Sequence, residues 1–294
     1  MKCGLVALIG RPNVGKSTLM NHVIKQKISI TSRKPQTTRH LITGINTTAT
    51  GQIIYVDTPG MHNNAKGALN RYLNKTADTT LLGVDVVVWL LDGLYWHPYD
   101  EHIFKKLENA KLPVILAINK LDKIKDKGEM LAFFAEAQKR YPFAHIVPIS
   151  ALKGDNLDRL ETLILDLLPE AEPIYAEDQI TDRPLRFLCA EIIREKLTRR
   201  LGAELPYAST VEIELYQEKP GLTKIYAVIW VERDSQKNIV VGHQGEMLKK
   251  IGSDARIDIE NLVEQKVFLQ LWVKVKKGWS NNERALQSLG FNER

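Results

Sequence analysis

An eight-residue stretch near the start, Gly10-Arg11-Pro12-Asn13-Val14-Gly15-Lys16-Ser17, most constrains what this chain can fold into. An apolar run, Leu5-Val6-Ala7-Leu8-Ile9, precedes it, and a helix-like run from Thr18 to Ile24 follows. Strand, glycine-rich loop and helix are the setting that G-x-x-x-x-G-K-[ST] needs in order to cradle phosphate. Glycine lets the backbone turn its N–H groups inward, and the new helix adds its positive end. In that setting Lys16 reaches the β- and γ-phosphates and the Ser17 hydroxyl serves Mg²⁺. A nucleoside triphosphate is the expected ligand.

The residues that follow fill in the rest of such a site. Lys25 to His40 is polar and without periodicity, so it reads as a long loop, and long loops in compact domains are usually functional. Its Thr37-Thr38 pair offers a hydroxyl to Mg²⁺ in the triphosphate state, and either threonine fits by residue type. A strand-like run, Gln52 to Val56, ends in Asp57-Thr58-Pro59-Gly60. An acid at a strand end, about 40 residues past the loop lysine, is the second Mg²⁺ element, and the Gly60 N–H can meet the γ-phosphate. Val84 to Leu91 and Pro113 to Ile118 read as buried parallel strands. The latter runs into Asn119-Lys120-Leu121-Asp122. A carboxylate at Asp122 accepts the paired N–H groups of guanine, which adenine lacks, and the expectation is a buried acid that rejects adenine. Lys120 covers the base face and Asn119 ties loops together. His145 to Ile149 then leads into Ser150-Ala151-Leu152, whose backbone N–H reaches the guanine O6, and Asp155 or Asn156 caps the helix from Leu157. Strand and helix alternate throughout, which predicts a mostly parallel sheet with helices on both faces. Small-molecule kinases have no use for the Asn119–Asp122 tetrad, which argues against that reading.

These five elements stand in the order found in a GTPase G domain, and residues 1–170 resemble one. The resemblance implies GTP and GDP as ligands, Thr38 rather than Thr37 as the Mg²⁺ ligand beside Ser17 and Asp57, and Lys16, Thr38 and Gly60 at the hydrolytic centre. Ras-like members place a water-orienting Gln directly after D-x-x-G. Here Met61 stands there, followed by His62, and Met cannot hydrogen-bond a water. Slow hydrolysis is expected. In related GTPases an Asn at the position of Asn13 helps bind K⁺, which makes potassium a further expected ion.

Pro169 and Pro173 with the run of charge that follows mark a boundary, and residues 171–183 read as a linker. A helix begins near Pro184 with Leu188, Cys189, Ile192, Ile193 and Leu197 at helical spacing. Val211, Ile213 and Leu215 alternate with polar residues, Lys219-Pro220-Gly221 turns, and Ile225 to Glu232 returns, so the two strands should be antiparallel. Asn238 to Val241 reads as an apolar strand leading into Gly242-His243-Gln244-Gly245 and a helix. A last strand spans Val267 to Val275. Net charge is +6, but the excess lies before Glu170, so only local clusters such as Lys249-Lys250 and Lys274, Lys276 and Lys277 mark a polyanion site.

The order of elements in 184–294 resembles a type II KH domain. That implies backbone N–H groups of Gly242–Gly245 on single-stranded RNA phosphates, with Lys249, Lys250, Lys274 and Lys276 nearby and bases in a groove lined by Ile239 and Val241. The chain as a whole, through stretches such as 28–33, 202–206 and 271–276, resembles the Era family of GTPases. The fold class expected is therefore an α/β P-loop GTPase domain followed by an α+β type II KH domain. The family implies binding near the 3′ end of 16S ribosomal RNA, assistance to assembly of the small ribosomal subunit, and peripheral membrane association, for which this sequence contains no recognisable anchor. Two cysteines far apart, no long apolar run and no signal-peptide pattern make buried thiols and a cytoplasmic setting the expectation; a monomer is expected alongside, with no sequence feature that sets it.

Overall fold

The computed structural model describes residues 1–32, 34, 37–59, 67–124, 126–202 and 205–291. They divide into two compact units. The first is built from Met1–Ser29, 38–59 and Leu73–Asp182. Its elements are β1 (Lys2–Ile9), α1 (Lys16–Ile24), β2 (Ile42–Thr47), β3 (Gly51–Asp57), α2 (Ala68–Thr80, whose first turn groups with the other unit), β4 (Val86–Asp92), α3 (Asp100–Ala110), β5 (Val114–Asn119), α4 (Lys127–Arg140), β6 (His145–Pro148) and α5 (Leu157–Leu167). The six strands run in the order β2-β3-β1-β4-β5-β6. All pairings are parallel except β2 with β3.

The apolar runs of β1, β4 and β5 are buried because helices cover both sheet faces. Trp89, fully buried, packs edge-on against Phe104 with ring centroids 4.7 Å apart. Register aligns the strand ends that matter: Leu8 pairs with Asp57, Asp92 with Asn119, and Ile118 with Pro148. The loops carrying the phosphate, metal and base motifs thus leave the same end of the sheet, where open α/β sheets bind ligands. Asn156 precedes α5 but makes no side-chain cap; its Nδ2 donates to Pro148 O at 2.8 Å instead, because the residue sits in the left-handed region at φ 60°.

The second unit gathers the described parts of Ile30–Thr37, 67–72 and 183–291. Its elements are α6 (Leu185–Arg200), β7 (Ser209–Lys219), β8 (Leu222–Val231), α7 (Asp234–Val241), α8 (Glu246–Val263), β9 (Lys266–Val275) and α9 (Glu283–Ser288). The sheet order is β7-β8-β9, with β7 antiparallel and β9 parallel to β8. Helices α6 and α8 lay Ile192, Ile193, Leu197, Ile251, Ala255 and Ile259 against Ile225, Ala227, Ile229 and Val273. Both cysteines are free and buried, and desolvation pushes the Cys189 thiol up to about 12.

Two readings of this unit need correction. Asn238 to Val241 is the end of a helix, not a strand. The Gln236 side-chain carbonyl accepts from the Arg233 and Glu232 N–H groups at 3.0 and 2.9 Å, closing the start of α7, and that local cap overrides the β-branched run. The even alternation across β7 also breaks. A bulge between Ile213 and Leu215 inserts Glu214, so Tyr216 packs on the core and Leu215 faces the other way. Within the same unit the Glu195 carboxylate accepts from Thr31 N at 2.9 Å, and Arg194, buried and paired with Glu191, donates to Thr37 O.

Candidate functional site

The phosphate loop follows β1 directly. Gly15, at φ 108°, occupies a conformation that L side chains rarely adopt, and a Cβ there would lie 2.2 Å from Asn119 Nδ2. Only glycine lets the loop pass that close to β5. Lys16 Nζ donates to Gly10 O at 2.9 Å and Arg11 O at 3.1 Å, so the lysine folds back over its own loop. Burial pulls Lys16 down to about 8, against the opposing pull of Asp57. Arg11 turns aside into an ion pair with buried Asp100 on α3 at 3.3 Å. Pro12, Asn13 and Val14 complete the loop; Asn13 sits at φ 65°, and Val14 is buried. Thr18 lies in the first turn of α1, beside Ser17.

Three oxygens converge beside this loop. Ser17 Oγ donates to Asp57 Oδ2 at 2.7 Å, Thr38 Oγ1 lies 3.0 Å from Ser17 Oγ, and Thr38 Oγ1 lies 3.5 Å from Asp57 Oδ2. Asp57 Oδ1 is buried without a hydrogen-bond partner among the described residues. Burial raises the Asp57 pKa, countered by Lys16 and by the hydroxyls of Ser17, Ser29 and Thr38. Hard oxygens of this kind, with one carboxylate oxygen unsatisfied, fit Mg²⁺. Thr37 is elsewhere: its hydroxyl donates to Lys34 O at 2.6 Å. Of the two candidate threonines, the structure brings Thr38 to the cluster. Thr58 Oγ1 donates to Leu8 O at 2.9 Å, fastening the strand end that carries Asp57, with Pro59 next along. Gly60, Met61 and His62 lie outside the described residues.

Two contributors carry no motif. Ser29 Oγ donates to Asp57 Oδ2 at 2.9 Å. Asn21, inside α1, accepts from the Ile28 and Ser29 N–H groups at 3.0 and 2.9 Å and donates to Ser29 O at 2.7 Å. The only sequence hint is an Asn in a helix interior, where its propensity is poor and a tertiary use is the usual reason.

The base-reading residues are linked to the phosphate loop through one side chain. Buried Asn119 donates from Nδ2 to Val14 O at 2.7 Å and accepts at Oδ1 from Ala151 N at 2.9 Å. Lys120 pairs with Asp92. Ser150 Oγ donates to Asp122 Oδ1 at 2.7 Å, and this bond is the main reason the Asp122 pKa is lowered. Asp122 is exposed rather than buried, as are Leu152 and the rim around them. It stands just beyond the end of β5 on a short 3-10 turn, Leu121–Lys123, with its carboxylate open to solvent.

In the second unit, the loop Gly242-His243-Gln244-Gly245 joins α7 to α8. Gly242 has φ 73°, and a Cβ there would meet Met247 Cβ at 2.7 Å. A cleft of about 380 Å³ opens next to Gly245, between Leu248, Lys249, Gly252 and Arg256 of α8 and Leu269 and Leu271 of β9. Lys249 lines it; Lys250 is exposed one residue on. Ile239, exposed on α7, and Val241, packed on the core, do not line this cleft, because the run that carries them is a helix. Lys274 and Lys276 are not beside the glycine loop either. Both approach the Trp230 ring on the opposite sheet face, at 5.8 and 5.7 Å. Sequence reading missed Leu248, Gly252, Arg256 and Leu271, since no local pattern announces a cleft made by a helix and a distant strand.

Residues 5–120 match the family model described as 50S ribosome-binding GTPase, and residues 204–280 match the KH domain. The chain is 55% identical over 292 residues to GTPase Era of Pseudomonas syringae pv. tomato, covering 99% of this chain and 97% of the relative. To GTPase Era of Pseudomonas aeruginosa it is 51% identical, covering 99% and 96%. Among solved structures, a point variant of Aquifex aeolicus Era bound to GDP·AlF4⁻ superposes with a TM-score of 0.96 at 40% identity, covering 100% of both chains. Era in complex with MgGDPNP and nucleotides 1506–1542 of 16S ribosomal RNA gives 0.95 at 40% identity, again covering 100% of both.

Proposed function

This chain belongs to the Era family of GTPases, and from that membership we propose a GTP-dependent RNA-binding switch: it hydrolyses GTP slowly to GDP and phosphate, binds 16S ribosomal RNA near its 3′ end and assists assembly of the small ribosomal subunit. The domains are a G domain over 1–170, a linker over 171–183 and an RNA-binding KH domain over 184–294.

The observation that supports the nucleotide assignment is the pair of hydrogen bonds by which Asn119 donates to Val14 O and accepts from Ala151 N. It ties the phosphate loop, the Asn119–Asp122 tetrad and the Ser150–Ala151 turn into one body at the end of the sheet where these motifs gather. Phosphate charge beside Lys16 keeps its ammonium protonated, and the loop N–H groups orient the chain of phosphates for in-line attack by water. Ser17, Thr38 and Asp57 would hold Mg²⁺, which would supply charge neutralisation at the phosphoryl oxygens. Thr38, at that cluster, directly follows Thr37, whose carbonyl Arg194 of α6 holds. That continuity supports coupling between nucleotide state and RNA binding.

RNA binding is supported by the glycine loop, by Lys249 and Arg256, and by the apolar walls Leu248, Leu269 and Leu271 of the cleft. The RNA of nucleotides 1506–1542, bound by the Era of the solved complex, is the probe that tests this. Phosphate release from GTP but not ATP, together with binding of that RNA, supports the reading; ATP turnover at a similar rate contradicts it.

Four finer points complete it. K⁺ assists hydrolysis beside Asn13, and equal turnover in sodium and potassium salts contradicts this. The protein is a monomer, resides in the cytoplasm, and associates peripherally with the inner face of the membrane. Sedimentation and cell fractionation test these. No helix among the described residues is long and apolar enough to cross a membrane.

A further inference from the structure

Strands β8 and β9 present two different faces. Ile225, Ala227, Ile229, Val231, Val267 and Val273 point into the core with α6 and α8. The alternate residues point the other way, and the parallel register sets Lys224 beside Phe268, Tyr226 beside Gln270, Val228 beside Trp272 and Trp230 beside Lys274. Phe268 is 48% exposed and Trp272 36% exposed, although both are large apolar side chains. Tyr226 stands between them, edge-on to Phe268 at 6.2 Å and to Trp272 at 5.5 Å. The ammonium groups of Lys274 and Lys276 lie over the Trp230 ring, and Lys224 and Lys266 project from the same face. Acid on this face is already engaged: Glu212 accepts from Trp230 Nε1 at 2.8 Å, and Glu214 pairs with Lys274 at 2.7 Å.

We propose that this aromatic and lysine-bearing sheet face, led by Phe268 and Trp272, is a second single-stranded RNA surface, which stacks bases of the strand that continues out of the cleft between α8 and β9. The inference rests on the RNA-binding reading given above. Exposed rings interleaved with cations suit single-stranded nucleic acid, because every base has a face to stack and every step a phosphate to neutralise. Connection to the cleft comes from β9 itself. It is the edge strand of the sheet: Leu269, Gln270 and Leu271 line the cleft, and Phe268 and Trp272, on either side of them in the chain, carry the new face. A strand of RNA that rounds this edge passes from one surface to the other. A protein partner would find fewer uses for four lysines around rings of this kind, so RNA is the occupant that the charge favours.

The test uses the full chain with a non-hydrolysable GTP analogue and two probes. One is the RNA of nucleotides 1506–1542. The other is the tightest-binding hexanucleotide from that segment, long enough for the cleft alone. Phe268→Ala with Trp272→Ala should weaken the long RNA by about 10- to 100-fold, from the usual cost of losing one or two stacked bases. The hexanucleotide should lose less than about twofold. Trp272→Phe, which keeps a ring, should retain most of the affinity, and ultraviolet cross-links of the long RNA should map to the peptide around 268–272. Unchanged long-RNA affinity in the alanine variant, with affinity lost in Gly242→Asp, overturns the inference and leaves the cleft reading standing. Equal loss for both probes also overturns it. Retained RNA binding in Gly242→Asp overturns the cleft reading itself. A concentration-dependent dimer abolished by the alanine variant, with RNA binding intact, assigns the face to a second copy of the chain and overturns the inference.

Discussion

Ser17 Oγ donates a hydrogen bond of 2.7 Å to Asp57 Oδ2, and through it the phosphate loop and the end of β3 share one oxygen cluster. The same carboxylate oxygen accepts from Ser29 at 2.9 Å, which leaves Ser17 free to exchange its bond for a metal without stranding the acid. Ser17→Ala should therefore weaken Mg²⁺-dependent GTP binding by at least tenfold and leave binding in EDTA within about twofold, since one metal ligand is worth roughly 1.4 kcal/mol or more. Calorimetric titration in both buffers reads this. Equal loss with and without Mg²⁺ would mean that Ser17 acts on the loop, not on the metal.

Lys16 is a buried ammonium that, among the described residues, donates to the Gly10 and Arg11 carbonyls of its own loop. Its pKa, pulled to about 8 by burial, lies below that of an unfolded lysine near 10.4. Between those values the unfolded chain binds more protons, so stability without nucleotide rises with pH across that window and the gain is gone below about 8. Lys16→Met should abolish GTP binding while raising nucleotide-free stability at pH 7 by ~1–2 kcal/mol. The advantage should shrink at pH 10. Thermal denaturation of both proteins at the two pH values checks it.

Asp122, held by Ser150 Oγ, offers a carboxylate to the paired donors of guanine. Asp122→Asn replaces one acceptor by a donor and should weaken GTP at least 100-fold, while xanthosine triphosphate, whose ring carries a carbonyl at C2, gains. Competition binding with the two nucleotides measures the exchange. Little change in GTP affinity would sink the guanine assignment.

Asn21 clamps three backbone groups of Ile28 and Ser29. Asn21→Ala should destabilise the protein by about 2–3 kcal/mol, from buried backbone groups left without partners. GTP affinity should fall too, because Ser29 would no longer be held against Asp57. Urea denaturation and nucleotide titration give the two readouts.

The contrast between Asn119 and Asn21 shows what was legible in the chain. Asn119 belongs to a short pattern whose chemistry demands its neighbours, and both loops it joins could be expected. Asn21 acts on residues seven and eight positions away through side-chain geometry, for which sequence offers only a poor helix former in a helix. The strands of the first unit were readable because burial on both faces leaves continuous apolar runs. Asn238–Val241 reads as a strand for the complementary reason: it holds three β-branched residues in a row, and the Gln236 cap that makes them a helix is one side chain deep. The cleft walls Leu248 and Leu271 lie on separate elements, and only the fold brings them together.

The central claim is that GTP and RNA bind one coupled switch. Its most direct measurement is the affinity of the full chain for the RNA of nucleotides 1506–1542, taken with GDP and with a non-hydrolysable GTP analogue at fixed salt. The account predicts tighter RNA binding with the analogue by about tenfold or more, and by linkage an equal gain in analogue affinity when RNA is present. Equal RNA affinity with the two nucleotides would contradict it.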